Sequence, residues 1–126
     1  MAGECVLIVE DNEKNMKLVR DILQATGYTP IEASSGEQAL TLAAENAPAL
    51  VLMDIQLPDL DGAEALRRLR SDERTAGIPV LALTAQAMQG DRERFLAAGF
   101  DGYLSKPVDV DELLQTVRRH CDGGTE

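Results

Sequence analysis

Five times along this chain of 126 residues, a short strand-like run gives way to a stretch with helical periodicity; four of these runs are apolar and the fifth is a plausible strand. The runs are "CVLIV" (5–9), "TPIEA" (29–33), "ALVLM" (49–53), "IPVLAL" (78–83) and "GYLS" (102–105). Apart from "TPIEA", they are brief, rich in Val, Ile and Leu, and continuous rather than alternating, and read as buried strands. "TPIEA" belongs at a sheet edge, because Pro30 has no amide hydrogen to give a ladder. Between the runs lie five helical patterns. Over Asn12 to Thr26, Met16, Val19, Ile22 and Leu23 form one stripe, and Gly27 follows where a helix stop is favoured. Further helices are predicted near 36–46, 62–71, 87–98 and 109–120. The pairs Ser35/Gln38, Asp61/Glu64 and Asp109/Glu112 mark three of the starts, and Gly99 marks the end of the fourth helix.

Strand and helix in strict alternation call for a parallel sheet joined by right-handed crossovers, with helices on both faces. The expected class is α/β, a three-layer sandwich with five parallel strands in the flavodoxin-like order 2-1-3-4-5. One domain is expected over 4–121, with 122–126, "DGGTE", as a flexible tail.

Charge narrows the partners. Twelve Lys and Arg against 22 Asp and Glu give a net charge of −10, which opposes attraction to nucleic-acid phosphates or anionic lipid. Aromatic residues are 3% of the chain and Trp is absent, so platforms for base stacking are hard to build. Direct nucleic-acid binding and membrane association are therefore not expected. Cys5 and Cys121 stand far apart without metal-type spacing, which favours a reduced, cytoplasmic protein. The start "MAGECVLIVED" has neither the basic flank nor the length of a signal peptide or membrane span.

In open parallel sheets, ligands sit outside the carboxyl ends of the strands. There the first strand runs into Glu10 and Asp11, the third into Asp54, the fourth into Thr84 and the fifth into Lys106. Strands 1, 3, 4 and 5 are neighbours in the proposed order, so these side chains converge. Singly, each has an ordinary reading: Asp11 as a helix cap, Thr84 as a cap or turn residue, Lys106 as a solvated lysine, Asp54 as a loop acid. Independent caps would not collect three acids, a hydroxyl and a cation at one edge. Three ionised carboxylates packed together repel, and a divalent cation removes the conflict. All-oxygen ligation suits Mg²⁺, whereas zinc would want a His or Cys that the site lacks. An open coordination position invites a phosphoryl group. Asp54, already an anion, needs no general base to attack phosphorus, and Lys106 and Thr84 would serve the phosphoryl oxygens.

The segments "VED" (9–11), "MDIQLPDLDG" (53–62), "LTA" (83–85) and "SKP" (105–107), at these separations, resemble the receiver domains of two-component response regulators, the CheY-like family. The resemblance covers essentially the whole chain, and "VEDNEKNMKLVRDIL" is similar to the start of DivK-type single-domain regulators. It implies that Asp54 accepts a phosphoryl group from a phosphohistidine on a histidine kinase or histidine phosphotransfer protein. It also implies Mg²⁺, with Mn²⁺ as a substitute, held by Glu10, Asp11, Asp54 and the backbone carbonyl of Gln56. Thr84 and Tyr103 match the family's switch pair, and Lys106 its lysine, with a cis bond to Pro107. Such a domain is a phosphoacceptor that catalyses its own phosphorylation and dephosphorylation rather than a conventional enzyme. It signals to a downstream protein target, here expected through the fourth helix, fifth strand and fifth helix, as a monomer or a phosphorylation-dependent dimer. Gln56 and Gln86 stand where the family tunes phosphoryl lifetime. Phe100 occupies a position more often held by a smaller residue, and core packing is expected for it.

Two other readings compete. A haloacid-dehalogenase-like phosphatase also uses a strand-end Asp, but it wants an acid two residues later, where this chain has Gln56, and its nucleophile on the first strand. The chain is alternatively a receiver fragment of a hybrid histidine kinase or multidomain regulator; Met1 and the short tail favour a complete single-domain protein. His120, beside Arg118 and Arg119, is expected to be a solvated last-turn residue rather than a phosphohistidine. Leu18 is expected to be a scattered surface apolar residue.

Overall fold

The structure, a computed structural model, describes residues 4–85, 91–106 and 108–121, with the backbone alone at 91 and 92. Along the chain run β1 (Cys5–Val9), α1 (Glu13–Ala25), β2 (Thr29–Ala33), α2 (Gly36–Asn46), β3 (Leu50–Asp54), α3 (Gly62–Ser71), β4 (Val80–Thr84), α4 (Asp91–Ala98), β5 (Gly102–Ser105) and α5 (Val110–Cys121). All pairings are parallel and the sheet order is β2-β1-β3-β4-β5, as the alternation requires. Pro30 lies on the edge strand β2.

Side-chain alternation explains why the strand runs are apolar throughout. Val6, Ile8, Leu50, Leu52, Leu81, Leu83 and Leu104 face a core closed by Met16, Val19 and Leu23 of α1 and Leu113 and Val117 of α5. Their neighbours Leu7, Val9, Val51, Met53, Val80 and Ala82 face the opposite core, closed by α2, α3 and α4 through Ala39, Ala43, Leu66, Leu69 and Phe95. β1, β3 and β4 are thus covered on both sides, and a polar residue within them would lose its hydration, whereas the edge strand β2 leaves Thr29 and Glu32 exposed. Phe100 is buried in the second core as expected, its ring edge-on to Phe95 at 6.0 Å between centroids. Leu18 is exposed.

The limits of two strands move relative to their apolar runs. β3 and β4 each end one residue later than their runs, on Asp54 and Thr84, because these polar residues keep the ladder: Asp54 pairs with Leu83 and Thr84 with Ser105. β4 also begins later, at Val80, since hydrophobicity reports burial and the ladder reports pairing.

The helix starts differ in detail as well. Asn12, not Asp11, caps α1: its side chain accepts from the amides of Lys14 and Asn15. Ser35 caps α2 by accepting from the Gln38 amide, but Gln38 returns its carbonyl to the Ser34 amide at 2.8 Å instead of closing a reciprocal box on Ser35. Asp61 and Asp109 accept from the amides of Glu64 and Glu112. Glu64 then turns to Arg67 and Arg68. At the other edge of the sheet, Arg70 of α3 donates to the carbonyls of Ala76, Ile78 and Gly99 and to Asp101, tying α3 to the loops entering β4 and β5. The tail at 122–126, Gln86, Gln89, Gly90 and Pro107 lie outside the described residues.

Candidate functional site

The sheet's alternation continues past the strand ends and delivers the site. Glu10 donates its amide to Ala33 and Lys106 donates its amide to Thr84, so both residues extend their strands by one position. By parity Glu10, Asp54 and Lys106 then fall on the α1/α5 side of the sheet, while Thr84 and Tyr103 fall on the side of α2, α3 and α4. A strand run ending on a carboxylate is the outcome. Asp54 is only 5% exposed, yet it opens onto a cavity of about 90 Å³ lined also by Ile55, Gln56, Thr84, Ala85, Arg94 and Lys106. That is well below the roughly 300–1,000 Å³ of a typical small-molecule pocket, and it suits a small group rather than a nucleotide.

Both Asp54 oxygens are held. Oδ1 accepts from the Gln56 amide at 2.9 Å, and Oδ2 accepts from Lys106 Nζ at 2.9 Å. The same ammonium stands 2.6 Å from Glu10 Oε1. Glu10 is more deeply buried than Asp54, and its Oε1 has no well-aligned hydrogen-bond donor among the described residues; the contact with Lys106 is an ion pair rather than a directed bond. Ligand oxygens of Glu10, Asp11 and Asp54 all lie within 4.8 Å of one another. Burial pushes the Glu10 carboxyl above its usual pKa; Lys106 works against this and the Asp54 carboxylate adds to it. Burial disfavours the Lys106 ammonium, but its pairing with the Glu10 and Asp54 carboxylates outweighs that and holds its pKa above the usual value. Two buried acids and an exposed one, with an under-coordinated buried oxygen, have the chemistry of a hard-cation site.

The structure therefore brings together Glu10, Asp11, Asp54, Gln56, Thr84 and Lys106. With Asn12 doing the capping, Asp11 is not needed at the start of α1. Tyr103 is outside the cavity: its ring packs 5.6 Å from that of Phe95 and lines a separate groove of about 300 Å³ beside Leu96, Glu112, Thr116 and Arg119. His120 lies in the last turn of α5, its Nδ1 3.0 Å from the Thr116 carbonyl and far along the chain from any acid cluster residue.

Three contributors were not read from the sequence. Asp59 accepts from the amides of Gly36 and Glu37 and so moors the β3–α3 loop to the start of α2. Gly62 lets α3 begin against that loop: a Cβ there would stand 2.7 Å from Ile55 Cα and 3.2 Å from the Asp54 carbonyl oxygen. Its amide donates to the Ile55 carbonyl at 3.0 Å. A glycine at a first helical position, where it weakens the helix, is the signal that was present. Arg94, the third, is on the cavity wall with nothing in its local sequence to announce it.

Comparison with known proteins agrees with this geometry. The family profile "Response regulator receiver domain" matches residues 6–118. The chain belongs to that family: it is the receiver domain of a two-component response regulator. Among relatives, it is similar to the polar-differentiation response regulator DivK of Brucella ovis, with 50% identity over 115 residues, covering 91% of this chain and 94% of the relative. Among solved structures, it is similar to the receiver domain of the sensor histidine kinase PA1611 from Pseudomonas aeruginosa PAO1, which has a magnesium ion coordinated in its active-site cleft. There the TM-score is 0.87 and the identity 40%, covering 95% of this chain and 98% of that one. The receiver domain of the Saccharomyces cerevisiae response regulator Ssk1, crystallised with the histidine phosphotransfer protein Ypd1, is similar at TM-score 0.86 and 31% identity over 95% of this chain and 90% of that one. Among the described residues, no helix is long and apolar enough to cross a membrane.

Proposed function

We propose that Asp54 takes a phosphoryl group from a phosphohistidine on a histidine kinase or histidine phosphotransfer protein, and that the domain over 4–121 passes the signal on by the rearrangement that follows. The observation carrying this reading is a buried carboxylate that opens on a small cavity while bonded to an ammonium and crowded by two further acids. The Ssk1 receiver's crystallisation with a histidine phosphotransfer protein supports a partner of that kind.

In the transfer, an Asp54 oxygen forms the new bond to phosphorus as the P–N bond breaks. The electron pair stays on the imidazole nitrogen, which takes up a proton. The Gln56 amide and Lys106 fix the plane of the carboxylate beforehand, so that little reorganisation is needed. Glu10, Asp11, Asp54 and the Gln56 carbonyl would hold Mg²⁺, or Mn²⁺ in its place, which supplies neutralisation of the phosphoryl oxygens. Lys106 shifts its ammonium from Asp54 to a phosphoryl oxygen, and the Thr84 hydroxyl donates to another. Water attack on phosphorus reverses the modification, releasing phosphate and restoring the carboxylate; both reactions belong to the domain's own residues. Thr84 and Tyr103 share a sheet face on adjacent strands, so a displacement of Thr84 toward the cavity leaves room that Tyr103 fills. The groove beside Tyr103 is the surface proposed to meet a downstream protein, in the cytoplasm, with the domain acting as a monomer or phosphorylation-dependent dimer.

The test is intact-protein mass after incubation with Mg²⁺ and acetyl phosphate, alongside Asp54→Asn and a chelator. One phosphoryl group gained by the unaltered chain and by neither control is expected. Equal labelling of Asp54→Asn would overturn the assignment.

A further inference from the structure

Glu10 and Lys106 extend strands and Asp54 ends one, but Gln56 stands on the loop that joins β3 to α3. Resting on the reading of these residues as a Mg²⁺-dependent phosphoacceptor, that loop has two groups of Gln56 to hold in place. One is the amide that donates to Asp54 Oδ1 at 2.9 Å, and the other is the carbonyl proposed as a cation ligand. The loop is closed at its base, where Gln56 and Asp61 form an antiparallel bridge and the Gly62 amide donates to the Ile55 carbonyl at 3.0 Å. Leu57 and Leu60 pack on the core beside it, a non-directional contact that limits the loop's distance more than its orientation. Orientation needs a directed contact outside the loop.

Asp59 supplies one. It reaches the first turn of α2, where Oδ1 accepts from the Gly36 amide at 2.8 Å and Oδ2 from the Glu37 amide at 3.0 Å. Two oxygens of one carboxylate on two successive amides fix both its distance and its plane, and the helix N-terminus favours its charge. Gly36 lets the two segments touch: a Cβ there would stand 2.8 Å from Leu60 Cδ1 and 3.0 Å from Leu60 Cβ. The same turn also receives β1, since the Glu10 amide donates to the Ala33 carbonyl at 2.9 Å. Residues 33–37 thus accept a hydrogen bond from Glu10 and donate two to the loop bearing Gln56. We propose that this turn clamps the two sides of the cation site together, and that Asp59 is a positioning residue for Mg²⁺, setting the Gln56 carbonyl against Glu10, Asp11 and Asp54. The competing role is a cap of α2 with no bearing on the site. Ser35 already caps that helix by accepting from the Gln38 amide.

The experiment compares the unaltered chain with Asp59→Ala, Asp59→Asn and Ser35→Ala, the last removing the α2 cap while leaving the loop contacts in place. Mg²⁺ and Ca²⁺ affinities are measured by titration calorimetry on chains shown by circular dichroism to be folded, and amide hydrogen exchange at Gln56 is measured in chelator. Mg²⁺ demands near-ideal octahedral placement, whereas Ca²⁺ accepts about six to eight oxygens in flexible arrangements, so a loosened ligand weakens Mg²⁺ more. Asp59→Ala is expected to weaken Mg²⁺ binding about tenfold and Ca²⁺ binding less, and to speed exchange at Gln56. Asp59→Asn keeps one acceptor oxygen and should fall between. Ser35→Ala should lower the unfolding midpoint and leave both affinities as they were. Unchanged Mg²⁺ affinity in Asp59→Ala or, should that chain not fold, in Asp59→Asn would overturn the positioning role while leaving Asp54 as acceptor. So would an equal loss for both ions, which is what removal of a distant charge produces. An unaltered chain that neither binds Mg²⁺ nor takes a phosphoryl group from acetyl phosphate would overturn both.

Discussion

Lys106 carries the charge balance of the site before any ion binds, and replacing it with Met tests that directly. The substitution keeps an unbranched apolar stem and removes the ammonium. That ammonium lies 2.6 Å from Glu10 and 2.9 Å from Asp54, with the three side chains 14%, 2% and 8% exposed. Breaking a buried ion pair by removing one partner costs about 3–5 kcal/mol. Here a proton limits the loss, because Glu10 can take one up rather than remain an unpaired buried anion. From its ordinary value of 4.5, protonation at neutral pH costs about 3.5 kcal/mol at roughly 1.4 kcal/mol per pH unit, and less because burial and Asp54 already raise it. The expected loss at pH 7 is therefore about 2–3 kcal/mol. The pH dependence follows from the same proton. In the variant the folded-state pKa of Glu10 rises further above its unfolded value, so the folded state holds a proton that the unfolded state releases. Its stability is then greatest at and below about pH 4.5 and declines as pH rises through the folded pKa. Urea unfolding followed by far-UV circular dichroism, in chelator at pH 5 and pH 7, should show a deficit that widens toward pH 7. Mg²⁺ should recover more stability in the variant than in the unaltered chain. A variant as stable as the unaltered chain at pH 7, or a deficit independent of pH, would refute the charge-balance argument.

The scaffold around the site yields further expectations. Gly62→Ala must push the Cβ against the backbone of Ile55 and the Asp54 carbonyl; it should destabilise by about 1–3 kcal/mol in urea unfolding and lower the rate of phosphoryl loading. Arg70→Ala removes donors to three carbonyls and to Asp101, which itself accepts from the Val80 amide; a loss of about 2 kcal/mol and faster hydrogen exchange at Val80 are expected. The amides of Glu37 and Gly36 hold the Asp59 carboxyl below its usual 3.8. Its stabilising contribution is present above that value and lost as pH falls through the lowered one, so Asp59→Asn should weaken the chain at pH 7, with a deficit that shrinks as the pH is taken below 3.8.

The sheet and its order were legible because covering both faces of a parallel strand forces an unbroken apolar run, and the runs of β1, β3 and β4 carry that mark. The site was legible for a related reason: an acid, hydroxyl or cation directly after a buried run has nowhere to go except the strand end, which is where Glu10, Asp54, Thr84 and Lys106 stand. The exact limits of β3 and β4 were less so, since Asp54 and Thr84 are polar by type and paired by backbone. Capping went to Asn12 rather than Asp11 because either residue type caps, and only the turn geometry selects between adjacent positions. Asp59, Gly62 and Arg94 owe their roles to contacts with Gly36, Ile55 and the cavity across the fold, which no local period encodes.

The central claim is that one carboxylate of this site becomes an acyl phosphate, and chemical trapping locates it. After loading with acetyl phosphate and Mg²⁺, borohydride reduction converts an aspartyl phosphate to homoserine, and peptide mass mapping then reads its position. The account predicts homoserine at Asp54, with Glu10, Asp11 and His120 unmodified. Label on any of those residues, with Asp54 intact, would contradict it.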